Sequence, residues 1–394
     1  MSSSNRLGLF AIPEVTYNTT PPTGTWLTVR KTGESITGSP QTVESAEARS
    51  DRQTGGQVAT GLELSGGFDF ELSTDDSIKL FIEQAMMSAK SAATTSTGTL
   101  TIVGSAGTVT TTATLGGVKT GDIVEMSGFA NPANNGIFFV TLSEGQTTMT
   151  VVGAKPLVNE TTVANAKVVR HPYWEIGTVL KSVSISKEFL DVGTPVRSIA
   201  YTGMRTTSMD LNFAFGQIVT GSFGLAGAGY STPATPITTG GTITPAGSDI
   251  PLDASNGMGW VVVDGEVPDI CIENLSISLN NNIEAQNCIG HLAPTNQVPF
   301  SAGINIEMSM YLGENSFDMF MPKKLTQEPI AVHFYTVGFD GKGYAVSIPR
   351  VQLSFPDPAG SGRDSHVMLP AAGTASYDET FKNSLRIYSL EGVA

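Results

Sequence analysis

The chain has 394 residues, with 36 acidic against 22 basic side chains and a formal net charge of −14. That balance excludes an electrostatic nucleic-acid binder, and no run of ~18 apolar residues exists to cross a membrane as a helix. A hydrophobic content of 40% suits a packed core, while two cysteines make neither a disulfide framework nor a metal scaffold. The opening MSSSNRLGLFAIPEV has no long apolar segment, so no secretory signal is expected.

The charge is unevenly spread. From Thr206 to Pro322, 117 residues contain 11 Asp or Glu and no Lys or Arg. A second stretch without basic residues, Gln53 to Ile78, holds Glu63, Asp69, Glu71, Asp75 and Asp76. Drift in a chain rich in Thr and Gly is the plain explanation. A surface that must repel something negative is the functional one.

In chain order, residues 1–30 read as an arm leading into a strand near Thr25–Arg30. Residues 31–58 are polar without an apolar period, which predicts a long loop. Gly61–Leu72 alternates strictly, with Leu62, Leu64, Phe68, Phe70 and Leu72 apolar, and predicts a long strand with one wet face. A helix follows over about 75–89, with Thr74 as the expected N-cap and Ile78, Phe81, Ile82, Ala85 and Met86 as its apolar stripe. Residues 91–169 alternate short Thr/Val runs with Gly, Asn and Ser turns, and read as a small all-β domain inserted into the main fold.

Long strands then resume. They are expected at Leu180–Lys187 (Leu180, Val183 and Ile185 inward) and Ser208–Gly216 (Met209, Leu211, Phe213 and Phe215 inward). Residues 221–260 read as a long excursion. Further strands are expected at Ile272–Asn280, Gly303–Gly313, Ile330–Gly338, Tyr344–Phe355 and Leu385–Leu390, with a short helix at Ser316–Met321. The organisation is thus one main domain split into 1–90 and 170–394, around the insertion.

A strand runs into a helix twice, as GFDFEL then DSIKLF and as GINIEM then NSFDMF, and LKSVSIS resembles IENLSIS. A duplicated unit explains this; so does the general likeness of amphipathic strands. The polar faces carry Glu63, Asp69, Glu71, Asp210, Asn212 and Glu307. Faces this long, polar and unbasic suit the inner wall of a ring closed by several subunits, which also removes edge strands.

These residues carry a resemblance. RLGLFAIPEVTYNTTPPTGTWLTVRKTGES, ESAEARSDRQ, LSGGFDFELSTDD, LSISLNNNIE, INIEMSMYLGENSFDMFM, DGKGYAVSIPRVQLSFPDP and SLRIYS, in this order, resemble the major tail tube proteins of long-tailed, non-contractile bacteriophages. The resemblance implies a mainly β fold: a tail-tube β-sandwich with a flanking α-helix, duplicated or single, whose long strands join a multi-subunit β-barrel. It implies a structural virion protein, made in the bacterial host cytoplasm, that forms rings stacking into a tube. The tape measure protein fills the tube before DNA passes, and tail completion and tail tip proteins close its ends. The family's long loop maps onto Gly33–Val58, so Glu44, Glu47, Arg49, Asp51 and Arg52 would tie ring to ring. Single-unit members form hexamers; a fused double unit favours a trimer with pseudo-sixfold symmetry. The insertion resembles small domains that decorate tails and is expected to project outward.

No catalytic or cofactor chemistry is expected. His171, His291, His333 and His366 have no metal-ligand spacing, GLAGAG at 224–229 is not a dinucleotide fingerprint, and no GxSxG is present. Cys271 and Cys288 are expected to be free, buried thiols. The competing readings are a β-rich host-binding or capsid decoration protein and a carbohydrate enzyme. Scattered Trp26, Trp174 and Trp260 count against the enzyme.

Overall fold

The computed structural model describes residues 3–360 and 362–392. The first strands are β1 (Leu7–Pro13), β2 (Thr25–Thr28), β3 (Gly33–Glu34), β4 (Thr37–Glu44) and the long β5 (Gln57–Glu71), which leads into α1 (Asp76–Ala85). Next come β6 (Thr94–Val103), β7 (Thr108–Thr111), β8 (Ile123–Ser127), β9 (Gly136–Glu144), β10 (Thr148–Val152) and β11 (Glu160–Arg170). After β12 (Tyr173–Glu175) and β13 (Val183–Phe189), the 18-residue β14 (Arg197–Ala214) turns into β15 (Thr220–Ala226), β16 (Gly229–Ser231) and β17 (Thr242–Thr244). The rest is β18 (Met258–Val263), β19 (Ile272–Asn280), β20 (Ile283–Gln286), β21 (Asn296–Pro299), β22 (Gly303–Tyr311), α2 (Glu314–Thr326), β23 (Ile330–Val337), β24 (Gly343–Leu353), β25 (Met368–Ala375) and β26 (Arg386–Leu390).

One antiparallel sheet runs β5-β15-β14-β19-β22-β25. Its period of two sends Phe68, Phe70, Phe223, Met209, Leu211, Ile277 and Ile306 to one face, where each is at most 3% exposed. There Phe70 stacks on Phe223 at 4.7 Å, and Phe81 of α1 meets Phe68 edge-on at 4.8 Å. Fully burying such rings stabilises by roughly 1.5–3 kcal/mol each, which is what fixes the register. A second sheet, β18-β23-β24-β26-β12, closes the sandwich. Val332, Phe334, Val346 and Ile348 are its contribution to the shared core, and Phe334 meets Phe213 at 5.1 Å. The mainly β, sandwich-with-helix class is thereby realised.

The alternate residues of that second sheet face away from the sandwich. Trp260, Val262, Ala345, Tyr388 and Leu390 pack with Ile123, Ile137 and Phe139 of a closed six-stranded barrel, β6 to β11. The barrel has its own core around Leu100, Val109, Phe138, Val140 and Met149. Its seam with the sandwich is also polar. Asp122 is 0% exposed and accepts hydrogen bonds from Arg386 Nη1 and Tyr388 Oη, both at 3.1 Å. His171 Nε2 meets Glu125 at 2.9 Å, and Trp260 Nε1 donates to the Ile137 carbonyl at 2.9 Å. The order of layers is therefore first sheet, shared core, second sheet, barrel.

Several expectations need correction. Residues 31–58 are not all loop: β4 pairs with β5 from Thr37↔Ser65 to Glu44↔Gln57, although its apolar period is hidden because both of its faces are wet. The stretch 221–260 contains β15, which lies between β5 and β14, and parts of it form β16, β17 and β18. Asp75, not Thr74, caps α1, accepting from the Ser77 N–H at 2.9 Å, and the helix ends at Ala85. The second helix is longer than Ser316–Met321, running Glu314–Thr326. Leu180 precedes its strand and Phe215 follows its own, so both are exposed rather than inward. Cys271 and Cys288 are free but exposed, because one precedes β19 and the other lies on the loop between β20 and β21.

Two tests address the seam. Asp122→Ala leaves the buried Arg386 guanidinium without its one fully buried carboxylate partner, and should cost about 3 kcal/mol in denaturant unfolding. His333 lies buried against Phe139 with ring centroids 3.8 Å apart, and burial lowers its pKa from 6.5 to about 3. Below pH 6.5 the unfolded chain takes up a proton that the folded chain refuses. Stability should therefore fall as pH drops from 6.5 towards 3, by up to ~4 kcal/mol, with no contribution above 6.5. His333→Gln should flatten that slope in unfolding curves taken at pH 7 and pH 4.

Candidate functional site

The first sheet's other face is concave, polar and open. Because neighbouring strands are in register, its side chains form rows. One row runs Asp69, Ser222, Asp210, Ser278, Asn305, Thr374 across six strands, with Gly33 and Gln352 at its ends. The next runs Glu71, Thr220, Asn212, Ser276, Glu307. Asp69, Asp210, Asn212, Asn305 and Glu307, with the Ser and Thr residues of β15 and β19 between them, border a concavity of about 570 Å³. Ser222 Oγ donates to Asp210 at 3.3 Å and Thr374 Oγ1 to Asn305 at 3.0 Å. Neither β5, β15, β19, β22 and β25 nor the 206–214 part of β14 carries a Lys or Arg.

The structure thus brings together five of the six residues proposed for the polar wall: Asp69, Glu71, Asp210, Asn212 and Glu307. Glu63 stands apart. It lies where β5 has left β15 and pairs with β4, opposite Ser39, and accepts from Gln41 Nε2 at 3.2 Å. Sequence reasoning missed Thr220 and Ser222 of β15 and Thr374 of β25. The signal was present in TGSFGLA, whose Phe223 and Leu225 alternate with small residues, but glycines at 221 and 224 masked it.

Those glycines have a packing reason. A Cβ on Gly221 would sit 2.5 Å from the Phe70 ring and 2.6 Å from the Asp210 carbonyl, and on Gly224 2.4 Å from Ser208 Oγ. Close strand approach, rather than flexibility, selects glycine here.

The β4–β5 hairpin leaves one end of this sheet. β5 extends from Gln57 to Leu64 past its last β15 partner at Ser65, a reach of roughly 25 Å at strand rise. Glu44 ends β4, and Glu47, Arg49, Asp51 and Arg52 lie exposed at the tip. Arg49 Nη2 pairs with Asp51 at 2.6 Å, and that hydrogen bond holds the Asp51 carboxyl below its usual range. Among the described residues no group of three or more His, Cys, Asp or Glu could hold a metal ion.

The face is thus a wide polar sheet surface over a β-sandwich, with a hairpin projecting from one end. The family model described as phage tail tube protein matches residues 4–375. The chain belongs to that family, a family of structural virion proteins. No curated protein matches the sequence.

Proposed function

We propose that the concave face lines the lumen of the tail tube, and that the tape measure protein and then DNA pass along it. The observation that carries this is the pair of in-register rows, which concentrate Asp69, Glu71, Asp210 and Glu307 on one face without a basic residue. DNA phosphates approaching such a wall are repelled within the ~8 Å over which charge acts at physiological salt. The molecule slides because nothing on the wall can replace its counterions.

The edges suit ring closure. Residues 368–371 of β25 have no strand partner on their outer side among the described residues, and β4 is exposed along nearly all its length. Joining these edges between neighbours would continue the sheet. With strands ~4.8 Å apart and tilted ~40°, three copies of this seven- to eight-column wall make a barrel roughly 45 Å across, and six make one roughly 90 Å across. The smaller bore is the nearer of the two to the width of one DNA duplex, which favours the trimer. The six-stranded barrel lies beyond the second sheet from the acidic face, so it projects outward from such a tube. The tip of the β4–β5 hairpin, with Glu44, Glu47, Arg49, Asp51 and Arg52, reaches towards the next ring.

Replacing Asp69, Asp210 and Glu307 with Lys should leave the sandwich and the tubes intact, since all three are exposed, but should slow DNA ejection several-fold. Ejection at the normal rate would mean that this face points elsewhere. Deleting residues 46–55 while keeping β4 should give rings that stack poorly. Tubes of normal length from that variant would remove the hairpin tip from the ring junction.

A further inference from the structure

We propose that the β20–β21 hairpin is a second axial connector, whose apolar tip seats in an apolar cleft at the opposite pole of the next copy of this chain. The inference rests on the stacked-ring reading above and assigns it a contact that the charged β4–β5 tip does not supply.

The hairpin occupies residues 281–302 between β19 and β22. It leaves the sheet at the end where β5 begins, because β5, β14 and β22 run the same way and β19 runs against them. Its loop carries unsheltered apolar side chains: Ile289 is 106% exposed and Leu292 60%. Its only formally charged residue is Glu284. Such side chains on a floppy loop would mean little. Here both the root and the loop are fastened. Arg205 Nη1 bonds the Gln297 carbonyl and Asn296 Oδ1, Asn281 Nδ2 donates to the carbonyls of Ala85 and Thr206, and the Leu62 N–H donates to the Leu292 carbonyl at 2.7 Å. The last bond joins this hairpin to β5, so the two projections stand side by side.

The complement lies at the other end of the same strands. Where β14 turns into β15 and β19 begins, Phe213, Phe215, Met258, Val267, Pro268 and Ile272 line a cleft of about 290 Å³. Phe215 on its rim is 74% exposed. The nine-residue β19 links the two features, cleft at its start and hairpin at its end. One pole of each copy thus presents an apolar knob and the other an apolar socket, in equal number. A head-to-tail contact of this kind does not close on itself and propagates as a filament, which is the self-assembly that membership of the family entails. This is why the occupant assigned to the socket is a second copy rather than another protein.

The test uses the full chain. Ile289→Asp with Leu292→Asp changes only exposed side chains, so melting temperature and ring formation should match wild type while tubes are lost; Ile289→Leu should restore them. Native Cys271, between the cleft residues Ile270 and Ile272, supplies a free exposed thiol at the socket, and native Cys288 stands at the knob; Cys271→Ser is the control that should not cross-link. A short bis-maleimide should then give a ladder of cross-linked chains from tubes and none from isolated rings. Normal tubes from the double Asp variant would overturn the proposal, as would tubes that cross-link within rings only, or normal tubes that fail merely to join the rest of the tail. Loss of rings in the double variant would assign the hairpin to lateral contacts and equally overturn it. Wild-type chain that forms no rings at all would instead defeat the ring reading beneath it, with the knob and socket never brought together.

Discussion

The pleat of one sheet sets nearly everything else. Because alternate residues of β5, β15, β14, β19 and β22 point opposite ways, a single run of sequence must supply both a greasy and a wet surface. The greasy side is driven together by Phe68, Phe70, Phe223 and Phe81, and those rings leave the strands no freedom to slip. A slip of one residue would bury Asp69 and Asp210 and expose the phenylalanines. The acidic face is therefore held in place from behind, by contacts on the opposite side of the sheet.

The layers behind the wall follow from the same alternation. In β23, Val332 and Phe334 face the shared core, while His333 and Tyr335 face the barrel. A sheet buried on both sides needs its polar groups paired, and Asp122, Arg386 and Tyr388 meet that need at the seam. The barrel is in this way fixed to the sandwich through a buried, partly charged interface, rather than hung on a linker. An attachment built like this adds bulk without disturbing the acidic face, since the second sheet and the shared core intervene.

Legibility in the sequence followed burial. Strands with one apolar and one polar face could be read directly: β19 matches its expected bounds and β22 differs by two residues, while β23 and β24, buried on both faces, were legible from the Asp340-Gly341-Lys342-Gly343 turn between them and differ by a residue or two. Elements failed where the pattern was blurred by their environment. β4 has no buried face, and β15 uses glycines to approach its neighbours. The wall residues were visible as acidic positions on alternating strands, but their assembly into rows required register, which no single strand encodes. The knob at Ile289 and Leu292 lay in a polar stretch with no period to announce it.

The account stands or falls on which way the concave face points. A cryo-microscopy reconstruction of tubes assembled from the purified chain measures this directly. It should place Asp69, Asp210 and Glu307 on the bore, three chains to a ring, with the six-stranded barrel on the outer surface. A tube whose bore is lined by another face, with these carboxylates outside or buried between subunits, would contradict it.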